Sequence, residues 1–182
     1  MFKINFRIVD DIDELKKTTV YDFNTEINFI TGFFQICVGD QYVGCYYHQN
    51  PLDKDETGGE LIDYWFRRLL DVIYLLETET NYVAFQEIET VNRWLEFKRI
   101  QDKVIINIVV DKPNIIRKLL IKKPYNGFSY EKQGRAEVNF SQLKKNVIDK
   151  VEEFLRDLKE INSQLLEAKM ANNLEKMLRN IY

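Results

Sequence analysis

The stretch 60-ELIDYWFRRLLDVIYLLE-77 decides how this chain folds. Read at 3.6 residues per turn, Ile62, Trp65, Leu69, Val72, Ile73 and Leu76 share one stripe, and Leu61, Phe66 and Leu70 widen it. Asp63, Arg67 and Asp71 form a narrow polar strip at i, i+4 and i+8, where opposite charges are neighbours. Thr57 and Glu60 read as a capping box that opens the helix, with Gly58 and Gly59 weakening its first turn. A helix this apolar must be covered on most sides. The spacing therefore predicts the central core element, lying between two β-rich halves.

Upstream, Phe2, Ile4, Phe6 and Ile8 alternate with Lys3, Asn5 and Arg7, the period of a half-buried strand. The run Asp10–Glu14 reads as an acidic turn or a short surface helix. It lacks the glycine and the closing glutamate of a calcium loop. Residues 18–23 and 26–31 read as two strands. The clearest hairpin is 32-GFFQICVGDQYVGCYYH-48, with Gly39-Asp40 as its turn. That turn predicts the pairs Val38 with Gln41 and Cys37 with Tyr42. It sets Cys37 and Cys45 on opposite faces, which argues against a disulfide. Gly44 within the strand predicts a bulge or a close approach by a neighbour.

Downstream, strands are expected at 82–89, 93–100, 104–110, 115–121 and 135–140, with the near-continuously apolar run 104–110 in a central position. From Ser141, read as an N-cap, no Gly or Pro interrupts the chain to Tyr182. Leu143, Val147, Val151, Phe154, Leu158, Ile161 and Leu165 make one long amphipathic stripe. As a single rod this region would reach roughly 60 Å, longer than a domain of this size is wide. The preferred reading is a break near Asn162-Ser163 or Asn172-Asn173, with the last segment packing back. The alternative is a projecting arm that forms a homodimer through its seam. The whole is expected to be one α+β domain over residues 1–182. In it an antiparallel β-sheet of six to eight strands is packed by the central apolar helix and the C-terminal helical region of 141–182.

A length of 182 residues with 45% apolar and 30% charged residues fits a soluble protein with a sizeable core. The opening Met1-Phe2-Lys3-Ile4-Asn5 lacks the basic start and apolar run of an export signal. No stretch approaches a membrane span. A cytoplasmic protein with Cys37 and Cys45 as free thiols is expected. Charge is unevenly divided. Residues 1–90 carry 7 Lys and Arg against 17 Asp and Glu, giving −10, and residues 91–182 carry 19 against 12, giving +7. Ordinary solvated surfaces would produce this, and so would an acidic half that steers a basic partner.

Catalytic patterns are weak. His48 is the single histidine, and on a strand its spacing from Cys45 sets the two side chains on opposite faces. Zinc ligand sets, phosphate loops and dinucleotide fingerprints do not occur, so no cofactor and no metal is expected. Glu87 and Glu89 are a weak pair of carboxylates for acid–base work. Cations at Arg117, Lys118, Lys122, Lys123, Lys132 and Arg135 interleave with Tyr125, Phe128 and Tyr130, which is chemistry suited to single-stranded nucleic acid. A sheet edge guarded by lysines accounts for the same residues. The stronger pattern is protein recognition. Tyr42, Tyr46 and Tyr47 would supply contact area, and Asp53, Asp55 and Glu56 would steer a basic partner.

The hairpin 32–48, the polar loop after it and the helix opening Asp63-Tyr64-Trp65-Phe66-Arg67-Arg68 resemble small bacterial immunity proteins, which protect a cell from its own delivered toxins. The resemblance covers residues 32–77. It implies a non-enzymatic cytosolic protein that binds and blocks a toxin, and a basic toxin would suit the acidic half. A nucleic-acid-associated protein of a phage or mobile element, using residues 117–135, is the alternative.

Overall fold

The computed structural model describes residues 1–9, 12–45, 47–53, 58–88, 90–112, 116 and 118–182. The chain opens with strand β1 (Phe2–Ile8) and two short helices, α1 (Ile12–Leu15) and α2 (Val20–Asp22). Strands β2 (Thr31–Val38), β3 (Gln41–Gly44) and β4 (Glu60–Leu61) lead into helix α3 (Ile62–Thr78). Next come β5 (Tyr82–Gln86), β6 (Arg93–Ile100), β7 (Lys103–Asp111), β8 (Leu120–Ile121) and β9 (Phe128–Asn139). The last elements are α4 (Phe140–Ile161) and α5 (Lys169–Ile181). This is the expected α+β fold, with one correction. The strands form two antiparallel sheets, not one. β1-β2-β3, with β4 also on β2, make the first, and β8-β5-β6-β7-β9 make the second.

Helix α3 joins the two sheets because its stripe has something to bury on several sides. Trp65, Phe66, Leu69, Leu70, Val72 and Ile73 are at most 1% exposed. Trp65 stacks on Phe34 of β2 at 5.2 Å and meets Phe85 of β5 edge-on at 6.0 Å. Phe66 sits among Phe6, Phe34 and Phe154, with ring centroids 5.1 to 5.3 Å away. Such offset and edge-on pairs add roughly 0.5–1.5 kcal/mol each beyond the area they bury. One continuous core runs from the inner face of the first sheet through α3 to the inner face of the second, closed by α4 and α5.

The start of α3 differs from the capping-box reading. Leu61 occupies the cap position, and Thr57 lies outside the described residues. Glu60 is instead a strand residue whose buried carboxylate accepts the Trp65 indole N–H at 2.6 Å. Asp63 is not on a solvated strip either. It is fully buried, accepting the Ile30 amide at 3.2 Å and Arg67 at 2.9 Å. Burial raises its pKa, and the Ile30 amide and Arg67 oppose the rise.

Two upstream strands are replaced by helical turns. Thr19 caps α2 by accepting the Asp22 amide, and a π-helical turn follows over Phe23–Ile27. Asn28, in the left-handed region with φ 62°, closes it by donating to the Phe23 carbonyl at 2.7 Å. Val20, Phe23 and Ile27 are spaced 3 and 4, so β-prone residue types carry a helical period here.

The β2–β3 hairpin has the register that its turn dictates, Val38 opposite Gln41 and Cys37 opposite Tyr42. Both cysteines are free. Gly44 has φ +85°, and a Cβ there would collide with the Phe34 carbonyl, so the close approach is real and glycine is required. In the second sheet β6 and β7 pair across Gln101-Asp102, and β7 is central between β6 and β9. The last two strands are displaced from expectation. β8 is only Leu120–Ile121, and β9 begins at Phe128 and is 12 residues long.

The C-terminal region breaks at Asn162. Helix α4 stops at Ile161, a 3-10 turn covers Ser163–Glu167, and α5 returns onto α3. Asn139, not Ser141, holds the cap position of α4. The Asn162 side-chain amide donates to the carbonyls of Leu15 at 3.0 Å and Thr18 at 2.9 Å, and its oxygen accepts the Gln164 amide. No arm projects. Leu143, Val147, Val151, Phe154, Leu158 and Leu165 are fully buried within the chain.

Candidate docking surface around two acidic grooves

Two grooves flank the short helix α1. The first, of about 550 Å³, lies between β1, the loop after β3 and helix α4. Phe6, Ile8, Ile12, Tyr47 and Ile161 give it apolar walls. Glu153, Asp157 and Glu160 line its α4 side. These three carboxylates are spaced i, i+4 and i+7, so the helix sets them on one face. Burial raises the Asp157 pKa, and repulsion from Glu153 and Glu160 raises it further. Arg7 and Lys16 also border this groove. Each has other engagements. Arg7 donates to the Asn50 carbonyl at 2.7 Å and the His48 carbonyl at 3.4 Å, and Lys16 pairs with Asp13 at 2.9 Å.

The second groove, of about 520 Å³, is lined by Asp13, Glu14, Asp22 and Glu26 with Lys17, Thr18 and Ile27. Lys16 beside Asp13 holds that carboxyl below its usual value. Together the grooves are lined by seven carboxylates and three cations, Arg7, Lys16 and Lys17, and a fourth cation, Lys150, pairs with Glu153 at 2.6 Å beside the Phe6 ring. An acidic concave surface with apolar walls can hold the stems of lysine or arginine side chains while pairing their charged ends.

The expected partner-binding residues fall only partly here. Tyr47 is half-buried in the first groove, where its hydroxyl accepts from the Gln49 amide at 2.9 Å. Tyr42 is exposed, but it is opposite Cys37, which is opposite Lys3. It thus lies near the far end of the first sheet, four residues or roughly 13 Å along β1 from Arg7. Asp53 is exposed. Tyr46, Asp55 and Glu56 lie outside the described residues, as do Asp10 and Asp11 of the acidic turn. Sequence reasoning missed Glu153, Asp157 and Glu160. Their helical spacing was available as a signal, but charges counted by halves of the chain concealed it. The fold brings acidic residues of the basic half beside the acidic half.

His48 packs its ring against Phe33 at 5.2 Å. Cys45 lies by the Phe34 amide at 3.3 Å, and burial raises its pKa. Glu87 is buried and structural, accepting the Gly44 amide at 2.7 Å and the Thr90 hydroxyl at 3.2 Å, while Glu89 lies outside the described residues.

The basic and aromatic series around residues 117–135 is divided: Lys118, Lys123, Lys132 and Arg135 are exposed, whereas Lys122 is paired and the aromatic residues have partners in the second sheet. Phe128 is buried and packs on Trp94 and Tyr125. Glu96, 1% exposed, accepts from Tyr82 at 2.9 Å and Asn107 at 3.0 Å and pairs with Lys98 at 3.0 Å. Lys98 in turn donates to the Tyr130 hydroxyl at 2.7 Å. Burial and the Glu96 charge push the Tyr82 phenol far up. Lys122 pairs with Glu79 at 2.7 Å. Arg117 lies outside the described residues.

Among the described residues no helix is long and apolar enough to cross a membrane. Comparison with protein-family models, with curated proteins and with solved structures finds no match to this chain.

Proposed function

We propose that this chain is a non-enzymatic binding protein of immunity type, which neutralises a basic toxin by occupying it. The observation that carries the reading is the pair of acidic grooves around α1, with seven carboxylates against the cations Arg7, Lys16, Lys17 and Lys150. Tyr47 at the groove wall adds an aromatic contact of the kind that anchors protein interfaces. A surface of one sign speeds encounter with a partner of the other and makes association weaken with salt. The resemblance of residues 32–77 to immunity proteins supports the same reading. The nucleic-acid alternative keeps the exposed Lys118, Lys123, Lys132 and Arg135, but it loses Phe128, which is buried, and Lys122, which is paired with Glu79.

Affinity capture from the source cells, followed by a growth assay, tests the proposal. The captured partner should be toxic when expressed alone, and co-expression of this chain should restore growth. A partner whose toxicity the chain does not relieve would overturn it.

A further inference from the structure

Strand β1 is one of the two outer strands of the first sheet, paired with β2 and, among the described residues, with no strand on its other side. Its ladder shows which backbone groups face that open side. Gly39 donates to the Met1 carbonyl and Val9 donates to the Thr31 carbonyl. With Phe2 opposite Val38 and Ile8 opposite Gly32, the odd-numbered residues of β1 exchange hydrogen bonds with β2. The amides and carbonyls of Phe6 and Ile8 therefore point away from β2, and among the described residues neither has another backbone partner. Both line the first acidic groove.

The groove continues the plane of the sheet between two layers. Helix α4 covers the inner face, where Phe154 meets the Phe6 ring at 5.9 Å. The loop at Tyr47–Asn50 lies over the outer face, tied there by Arg7. We infer that the groove receives an extended basic segment of the partner protein, which adds to β1 as a further strand. Its backbone would pair with Phe6 and Ile8. Its alternate side chains would meet Glu153, Asp157 and Glu160 on one face, and Tyr47 and Gln49 on the other. Two ladder positions accommodate about four residues, roughly 13 Å of strand, before α1 closes the groove. Asp157, whose pKa burial and the charges of Glu153 and Glu160 raise against the opposing pull of Arg156 and Lys150, gains a further counter-ion. A second copy of this chain is a poor occupant, because edge-to-edge pairing would bring the same three carboxylates against themselves. The inference rests on the binding-protein reading and specifies how its partner is held.

The test uses the full chain and two synthetic octapeptides, one alternating lysine and threonine and one alternating glutamate and threonine. Binding is followed by amide hydrogen exchange and NMR titration. The lysine peptide should bind, slow exchange at Phe6 and Ile8 by about tenfold or more, and weaken about tenfold between low and high salt. The glutamate peptide should not bind. The combined variant E153Q/D157N/E160Q should lose the lysine peptide. Ile8→Pro removes an amide that makes no internal bond on an outer strand, so the fold should persist while peptide binding is lost. No binding at millimolar lysine peptide, or binding that leaves the Phe6 and Ile8 amides unprotected, overturns the inference. A captured toxin that binds the wild type, Ile8→Pro and the carboxamide variant equally overturns it too, while leaving the neutralisation reading intact. Failure to relieve any toxicity sinks that reading, and the peptide titration still decides the groove.

Discussion

The Gly44 amide donates to the Glu87 carboxylate at 2.7 Å, so one buried acid fastens the end of β3 in the first sheet to the end of β5 in the second. The same carboxyl group accepts from Thr90 and lies 3.8 Å from Arg93. Arg93 also forms a two-pronged pair with Glu131 at 3.0 and 3.1 Å. Glu87→Ala would remove a side chain that is 4% exposed and leave the half-buried Gly44 amide without its acceptor. The expected loss is about 1–2 kcal/mol, since a half-buried donor left without its partner forfeits part of its solvation. Urea unfolding followed by circular dichroism measures it. Glu87→Gln, which retains an acceptor, should recover most of the loss.

Phe66 is the second quantity to weigh. It is fully buried and touches three other rings from β1, β2 and α4. Phe66→Ala should cost about 3–5 kcal/mol, the transfer and cavity contributions together. The urea midpoint should fall with the slope unchanged. A loss below about 1 kcal/mol would mean that the ring cluster is not the core.

Asn162 concentrates three hydrogen bonds at the turn between α4 and α5. Asn162→Ala removes two links to the α1 segment and one cap. A loss of about 2 kcal/mol is expected. Hydrogen exchange should show the loss at residues 12–18 and at the start of α5 more than in the second sheet. Uniform loosening would argue that the side chain only completes the turn.

Asp157 makes stability depend on pH in a defined direction. Its native pKa is raised above the ordinary value of 3.8, so the folded chain holds its proton more tightly than the unfolded chain. Between 3.8 and the raised native value the unfolded state binds fewer protons, and stability contributed by this group falls as pH rises. Asp157→Asn should therefore be more stable than the wild type at neutral pH, with the difference shrinking as pH drops toward 4. Urea midpoints across that range decide it. A difference that is constant with pH would show that Asp157 titrates as in the unfolded chain.

Local chemistry was easiest to read where a short signal pins geometry. Gly39-Asp40 determines the hairpin register from Val38 to Gln41 without help from distant residues. Asn162 marks the break because its side chain competes with a helical backbone. The division into two sheets was hidden, because it depends on which strands meet across long separations. The join to β2 through β4 is only Glu60–Leu61. Val20, Phe23 and Ile27 misled for another reason, as their types favour strand while their spacing is helical. The grooves were half legible. Tyr47 and the acidic turn near α1 could be picked out, but their neighbours Glu153, Asp157 and Glu160 are over a hundred positions away in the chain. No local pattern announces that meeting.

The bonds from Asn162 to Leu15 and Thr18 join residues 147 and 144 positions apart. Closing so long a loop comes late, because its entropy must be overcome before the contact rewards it. Synthesis runs from the N-terminus, so β1 and α1 exist long before α4 can reach them. Until then the outer edge of β1 has no acidic wall beside it. The proposed groove is thus complete only once α4 has docked, so on this reading a half-made chain would have no acidic wall against which to hold a basic strand.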